Sequence, residues 1–562
     1  MPAHGSSSVL RRLTAVLVVS AALSVVAVPP TAGAVATTGA ASRSLPAFAP
    51  VGHGDGLSRA LADGRLTQAQ YALERAASVF AYDEVARRFG GLARVEGRLT
   101  TLVLRDLAVR LHDLTGEDRA RALSLMARPD DDEPKRFEDD DPEYGTRTPE
   151  TECDPDICVH YIDDASYPSF EHAADATYAQ QVLATMQNVW ATEVTGYGYR
   201  EPKPDTNVLN GTSDGGDARF DVYLANLRPL GLYGYCFTND AKLNTNFTTY
   251  DFSTYCVLDD DYLNYGYPDP SDPLEVTAAH EFFHAVQGAY DFLEDAYFME
   301  GTATWMEDEV YDAINDHHFY LDASPLSNPT IPLDKTAGLR VYGTWIWWRF
   351  LAESLADADV IRAIWNRADG SAAGPDKYST QATALELKAR GSSFGEAFAD
   401  FAAWNAKPSA DGLYDEGSAY GAAKTQESRT VSTSRRSFSS NATLDHMTSR
   451  GIAVKRGSGV SDDAKLKVAI DGPARKTGPQ ARVVLFRTGG AVTIVPFTLN
   501  DEGRDTKRVA FGSDVTKAVV LVANASTRFS RCYTDYPNPT YSCAGVPVDD
   551  DLGFRVNVSL VR

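Results

Sequence analysis

The spacing of apolar positions divides the chain into stretches of different texture. Residues 35–57 show no periodicity and are mostly Ala, Thr, Ser, Gly and Pro, the texture of an unstructured segment. From 57 to about 128 the apolar residues return at helical intervals, at Tyr71, Leu73, Ala76, Val79 and Phe80 and again at Leu104, Leu107, Leu111 and Leu114. The pattern stops over 129–144. There Asp130, Asp131, Asp132, Asp139, Asp140 and Asp141 leave almost nothing to bury, so a solvated linker is expected. Beyond it, Val159-His160-Tyr161-Ile162, Phe220-Asp221-Val222-Tyr223-Leu224 and Tyr255-Cys256-Val257-Leu258 read as strands, and 178–194 as a helix. Residues 272–405 are mostly helical in pattern and end in a Phe/Ala-rich helix at 394–404. Residues 408–440 carry few large aliphatics and read as a linker. Short β runs at 452–454, 466–470, 482–486, 492–497, 519–522 and 554–561, separated by turn residues, predict a C-terminal β-sandwich over 441–562.

The N-terminus sets a compartment. Arg11 and Arg12 precede an apolar run over 13–28, followed by Pro29, Pro30 and the small triplet Ala32-Gly33-Ala34. This is the layout of a secretory signal peptide over 1–34. The run is shorter than the ~20 residues of a membrane span, and no later run is long enough. Secretion also suits the six cysteines, which fall as neighbours in sequence. Closure of short loops favours Cys153 with Cys158, Cys236 with Cys256 and Cys532 with Cys543. The charge balance, 53 Lys and Arg against 77 Asp and Glu, gives a net −24 and argues against a nucleic-acid partner, which needs a basic face. A monomer with no stable membrane anchor is expected, released to the extracellular side.

The chemistry concentrates at His280-Glu281-Phe282-Phe283-His284. Asp272 as N-cap, Pro273 at the first helical position and Glu275 at the capping-box position predict a helix that starts there and runs through the motif. On it His280 and His284 stand one turn apart on one face, about 6 Å between Cβ atoms, so both imidazoles can hold one zinc ion. Glu281 is rotated by about 100° and can instead take a proton from metal-activated water. Val276, Ala279, Phe283 and Val286 are the expected buried side. A catalytic zinc needs a third protein ligand and an open position. Glu300, within Met299-Glu300-Gly301-Thr302-Ala303-Thr304-Trp305, is that candidate. Gly301 and Ala303 are small and would let the two helices approach, and Glu307 and Glu309 read as solvated helix carboxylates. No histidine follows in Ala285-Val286-Gln287-Gly288-Ala289-Tyr290, which excludes the metzincin pattern.

His280-Glu281-x-x-His284 followed by Glu300-Gly301-x-Ala303-x-Trp305 resembles the gluzincin zinc metallopeptidases, most closely secreted bacterial members with His-Glu-Phe-Phe-His and Glu-Gly-Thr-Ala. The resemblance covers about 155–405. It implies an α+β fold with a thermolysin-like metalloprotease core over 150–407, a β-containing lobe and a helical lobe with the motif helix as the floor of the cleft between them. It also implies one catalytic zinc on His280, His284 and Glu300, with Glu281 as general base and acid. The sequence departs from the family at Thr304, where thermolysin-like enzymes carry an Asp that holds a ligating histidine. It also lacks the Gly-x-Met-x-Asn of the aminopeptidases, which favours an endopeptidase acting on peptide or protein substrates.

Other positions are less specific. Tyr342 is a candidate oxyanion donor, with packing in the core as the competing reading; Tyr311, His317 and His318 are weaker options. The Trp345, Trp347 and Trp348 run reads as core. Asp214-Gly215-Gly216-Asp217 and Asp259-Asp260-Asp261 are candidate calcium ligands, or simply solvated turns. The helical module and acidic linker over 35–145 fit either a propeptide or a permanent N-terminal domain. The module holds no cysteine, so latency would require a carboxylate or plain occlusion. The competing functional class is a non-catalytic secreted binding or adhesion protein with a structural or vestigial zinc site.

Overall fold

A computed structural model describes residues 54–95, 97–131, 142–374, 377–533 and 540–562. The leader expected over 1–34 and the core of the acidic linker, 132–141, lie outside the described residues, as do 35–53 of the low-complexity segment. Among the described residues thirteen α-helices accompany four sheets in a mixed α+β fold.

The sheet that carries the site runs in the spatial order Glu150–Cys153, Ile157–Asp163, Phe220–Ala225, Tyr255–Asp259 and Gly234–Phe237. Its three central strands are parallel and almost wholly buried, as strands covered on both faces must be. Both outer pairings are antiparallel, and a disulfide closes each: Cys153 stands opposite Cys158, and Cys236 opposite Cys256. The third disulfide, Cys532–Cys543, lies in the C-terminal part. All three bridges join the neighbours that loop closure favoured.

The helix Ser271–Gly288 packs on the edge strand Gly234–Phe237 and on Tyr255–Asp259. A Cβ at Gly234 would stand 2.9 Å from Thr277 and 3.2 Å from Glu281, so the absent side chain is what lets the helix lie this close. The expected capping box does not form. The helix begins at Ser271 and no side chain caps it. Pro273 falls in the first turn, where its missing N–H would have had no intrahelical partner. Asp272 is in the same turn, where its charge favours the helix dipole. The helix is buried on nearly every side rather than along one stripe, because the helix Ala296–Tyr311 covers a second face and the N-terminal module a third. Gly301 does not serve the contact with the motif helix. A Cβ there would collide with Thr344 and Trp348, so its smallness admits the helix Trp345–Ser354. Trp345, Trp347 and Trp348 are fully buried.

The N-terminal helices Gly56–Ala62, Gln68–Phe80, Tyr82–Phe89, Thr100–Val109 and Gly116–Met126 do not form a module set apart on an exposed tether. Leu73, Leu104 and Leu107 share one apolar cluster with Tyr235, Phe237 and Val257 of the sheet. The flanks of the acidic stretch are likewise buried. Arg128 is paired with Asp205 and Asp221, and the Tyr144 hydroxyl donates to His160 O and Leu224 O at 2.9 Å. The linker reading therefore fails at both ends of the stretch, because single large residues anchor what the run of aspartates seemed to solvate.

In the C-terminal part a four-stranded sheet and a five-stranded sheet enclose a shared apolar core. One strand, Glu427–Val431, falls within the 408–440 segment expected to be a linker, and a second, Ser437–Leu444, begins in it. Ser437–Leu444 does alternate: Ser440, Ala442 and Leu444 face inward, but small polar residues disguise the period. Upstream, Tyr414 is buried and its hydroxyl meets Asn405 at 2.8 Å, so the mostly exposed 408–426 stretch is anchored to the helical part as well. Arg504–Ala510 is a further strand not anticipated, its exposed polar face masking the pattern.

The sandwich docks against the helix Phe394–Asn405 and through a buried ion pair. His446 lies 3.0 Å from Asp334 of the helical part and 2.6 Å from Asp550. Burial opposes its charge, but the two carboxylates outweigh it and lift its pKa to about 9. The ordinary histidine value is ~6.5. The pair's contribution is therefore fully present below that pH and disappears as pH rises through about 9. The melting temperature of the chain should fall between these two values, and His446→Gln should flatten that fall. Parallel curves for the two proteins would contradict the assignment.

Candidate metal centre

His280 and His284 leave the motif helix on one face and meet Glu300 from the neighbouring helix Ala296–Tyr311. His280 Nε2 lies 3.1 Å from His284 Nε2 and 3.2 Å from Glu300 Oε2, and His284 Nε2 lies 3.7 Å from the same oxygen. Ligands in tetrahedral array at about 2.0–2.1 Å from an ion stand about 3.3 Å apart. All three side chains are buried.

The hydrogen bonds behind these atoms say what they offer. Gln287 Nε2 donates to Met299 O at 2.9 Å and to Thr302 Oγ1 at 3.1 Å, which leaves its Oε1 to accept from His284 Nδ1 at 2.8 Å. His280 Nδ1 donates to Glu307 Oε1 at 2.7 Å. With both Nδ1 atoms committed as donors, the neutral imidazoles turn two bare Nε2 lone pairs toward each other and toward a carboxylate. Three acceptors converge with no donor among them, and Glu300 Oε1 has no hydrogen-bond partner at all. A positive charge must sit there. In the protein without a metal a proton serves. Burial disfavours it on His280, but Glu300 and Glu307 lift that imidazole to about 10. Burial would likewise raise Glu300, but His284 and His280 hold it at about 2. A proton satisfies one acceptor pair at a time, whereas a divalent ion satisfies all three. The residues therefore fit such an ion, with Glu307 and Gln287 as the outer partners that fix both rings.

Two expectations change here. Glu307 is not a solvated carboxylate; it is buried and takes the ring-holding role left vacant at Thr304, which bonds neither histidine. Its signal was available, since it stands two turns after Glu300 and so on the same face of the helix. Glu309, mostly covered, pairs with Arg349 at 3.0 Å and with the Tyr197 hydroxyl.

Glu281 lines a small pocket of about 30 Å³ together with His280, Thr277, Tyr233, Tyr320 and Arg98. Its carboxyl pKa is raised, chiefly by burial, as suits a proton acceptor for near-neutral pH. The N-terminal module reaches this carboxylate. Thr101 Oγ1 donates to Glu281 Oε2 at 3.0 Å while accepting from the edge-strand amide Cys236 N at 3.0 Å. One turn earlier Arg98 stands over the rings of Tyr233 and Tyr320 and pairs with Asp316 at 3.6 Å. Gly97 makes the approach feasible, because any Cβ there would run into the Gly231 carbonyl. Nothing in the sequence marked Arg98 or Thr101.

Tyr342 falls in the short helix Arg340–Gly343, its ring 5.9 Å from that of His280 and stacked on Tyr320 at 5.0 Å. Its buried hydroxyl is turned toward Glu300, and burial together with the Glu300 charge pushes its pKa well up, so it remains a donor. Tyr311 instead reaches Thr185 O, and His317 and His318 face Glu416. Asp214 and Asp217 do not share a site: Asp214 accepts from Gly216 N, and Asp217 is clasped by Arg219. Asp259, Asp260 and Asp261 do lie together, but Asp259 already accepts from Leu227 N, Tyr262 N and the Tyr265 hydroxyl at 2.7–2.8 Å.

No protein-family model and no curated protein matches the chain. Among solved structures, a family GH115 4-O-methyl-α-glucuronidase with specificity for decorated arabinogalactans matches at a TM-score of 0.13 and 8% identity. The match spans 51% of this chain and 41% of that one, and at such a score it bears on neither fold nor function.

Removing the outer partner should loosen the ion without unfolding the helix. Glu307→Ala is expected to weaken divalent-metal affinity by about 10- to 100-fold in a competition titration, with the circular dichroism spectrum retained. Unchanged affinity would mean that Glu307 does not hold the ring.

Proposed function

We propose that the chain is a secreted zinc-dependent endopeptidase acting on peptide or protein substrates, held latent by its own N-terminal segment. The observation that carries this reading is the three converging acceptors beside Glu281, a buried carboxylate that opens on a pocket. Two imidazoles and one carboxylate form the donor set that zinc favours, with a position left open. Zinc held by His280, His284 and Glu300 would supply Lewis acidity and bring the pKa of water near ~7. Glu281 then accepts the water's proton and delivers it to the leaving amine. The Tyr342 hydroxyl, a buried donor beside Glu300, is available to the oxygen that gains charge at the scissile carbonyl. The edge strand beside the motif helix and the helical part around Glu300 favour a thermolysin-like arrangement, in keeping with the motif resemblance.

Latency is supported by the Thr101 contact. The oxygen that must accept a proton is already bonded to a hydroxyl, and the edge amide of Cys236 is bonded to the same hydroxyl. This is occlusion without a ligand on the metal. Extracellular release is supported by the three disulfides, and among the described residues no helix is long and apolar enough to cross a membrane.

The test is cleavage of a quenched, unstructured protein substrate by the zinc-loaded chain, before and after proteolytic release of the N-terminal segment. Activity should rise on release, and Glu281→Gln should lose about 10²- to 10⁴-fold while keeping its zinc. In the intact chain, Arg98→Ala with Thr101→Ala should raise turnover. Equal rates for wild type and Glu281→Gln would favour the binding-protein reading instead.

A further inference from the structure

A second cluster of side chains of metal-ligating type lies beyond the C-terminal end of the Glu300 helix. We propose that His317, His318 and Glu416 bind a second divalent transition-metal ion of the zinc class, and that this ion fastens the wall of the catalytic pocket.

His317 and His318 are consecutive on the 3₁₀ segment Asp316–Ala323. His317 is 1% exposed and packs its ring edge-on against Trp345 at 4.3 Å, while His318 is partly exposed. Both rings turn Nε2 toward one carboxylate oxygen: Glu416 Oε2 lies 3.6 Å from His317 Nε2 and 3.4 Å from His318 Nε2. Both contacts are long for a hydrogen bond, and neither nitrogen has a closer partner. These separations are close to the about 3.3 Å edge of a tetrahedral ligand set. A buried imidazole nitrogen without a partner is costly, and a single proton could relieve only one of the two. The oxygen they face already accepts from the Tyr420 hydroxyl at 3.1 Å.

The surroundings are those of a metal site rather than of a lone ion pair. Behind His317, Nδ1 faces Asp308 Oδ1 at 3.4 Å, and Asp308 is itself pinned by Arg349. That is the carboxylate–histidine arrangement which orients a ligating ring. Asp312, exposed at the same helix end, brings a carboxylate oxygen within 4.8 Å of those of Asp308 and Glu416 and adds negative charge beside the site. Arg349 alone faces Asp308, Glu309, Glu353 and Glu416, so the cluster carries excess negative charge that a dication would offset. The consequence reaches the catalytic pocket, because Asp316 and Tyr320 of the same 3₁₀ segment line it. An ion at His317, His318 and Glu416 would tie that segment to the chain that follows the helix Phe394–Asn405.

The experiment counts zinc by mass spectrometry in the full secreted chain, stripped with chelator and re-equilibrated with zinc alone. Wild type should hold two equivalents. His317→Gln with His318→Gln should hold one, and His280→Ala with His284→Ala should also hold one. Because His317 is buried, the partly exposed Glu416→Gln serves as the independent variant and should likewise lose one equivalent. Zinc should also raise the melting temperature of His280→Ala with His284→Ala, and this rise should vanish when Glu416→Gln is added. One equivalent in wild type, kept in both the His317/His318 and the Glu416 variants, would overturn the second site and leave the first standing. One equivalent that vanishes with Glu416→Gln but survives His280→Ala with His284→Ala would establish the second site and remove the first.

Discussion

Everything near the centre of this molecule depends on three electron-rich atoms being held within 3.7 Å of one another in a buried site. Two imidazole nitrogens and a carboxylate repel at that distance unless a cation lies among them. The scaffold accordingly spends its buried polar contacts on fixing these three. Glu307 and Gln287 set the two rings, Thr302 and Met299 set Gln287, and the aromatic packing around Trp345, Trp347 and Trp348 supports the helices from behind. The motif helix is enclosed by the sheet, the Glu300 helix and the N-terminal segment, so none of the three atoms can relax outward. Such confinement of unlike partners is costly for stability alone. It is the form expected where the geometry serves a bound ion.

The N-terminal segment belongs to this centre structurally. Its helix Thr100–Val109 shares apolar contacts with the edge strand, and its polar side chains reach into the pocket at Arg98 and Thr101. Cutting the acidic stretch would leave the segment associated through that shared core, so its release would take dissociation as well as cleavage. The C-terminal sandwich, by contrast, meets the helical part through the Phe394–Asn405 helix and the buried His446–Asp334 pair, away from the pocket-lining residues.

The sequence disclosed local geometry well and long-range geometry poorly. His280, Glu281 and His284 follow from helix periodicity and the three disulfides from loop length, because the partners are near in sequence, whereas Glu300, on the next helix, came from the need for a third ligand and from the motif. Glu307 was legible by the same rule but was masked by the acidic run around it, which resembles a solvated face. Thr101 was beyond reach, since its partners Glu281 and Cys236 are joined to it only through the tertiary fold. The linker reading of 408–440 failed for a different reason. Composition was weighed above alternation, and the Ser and Thr of Ser437–Leu444 alternate with a buried face all the same. Asp272 failed as a cap because the helix begins at Ser271 and takes Asp272 into its first turn.

The most direct test of the central claim is the position of the ion itself. Anomalous X-ray scattering on either side of the zinc absorption edge, from crystals of the zinc-loaded chain, should give a peak bounded by His280 Nε2, His284 Nε2 and a carboxylate oxygen of Glu300. No peak at that point, with a protonated His280 hydrogen-bonded to Glu300 in its place, would contradict the account.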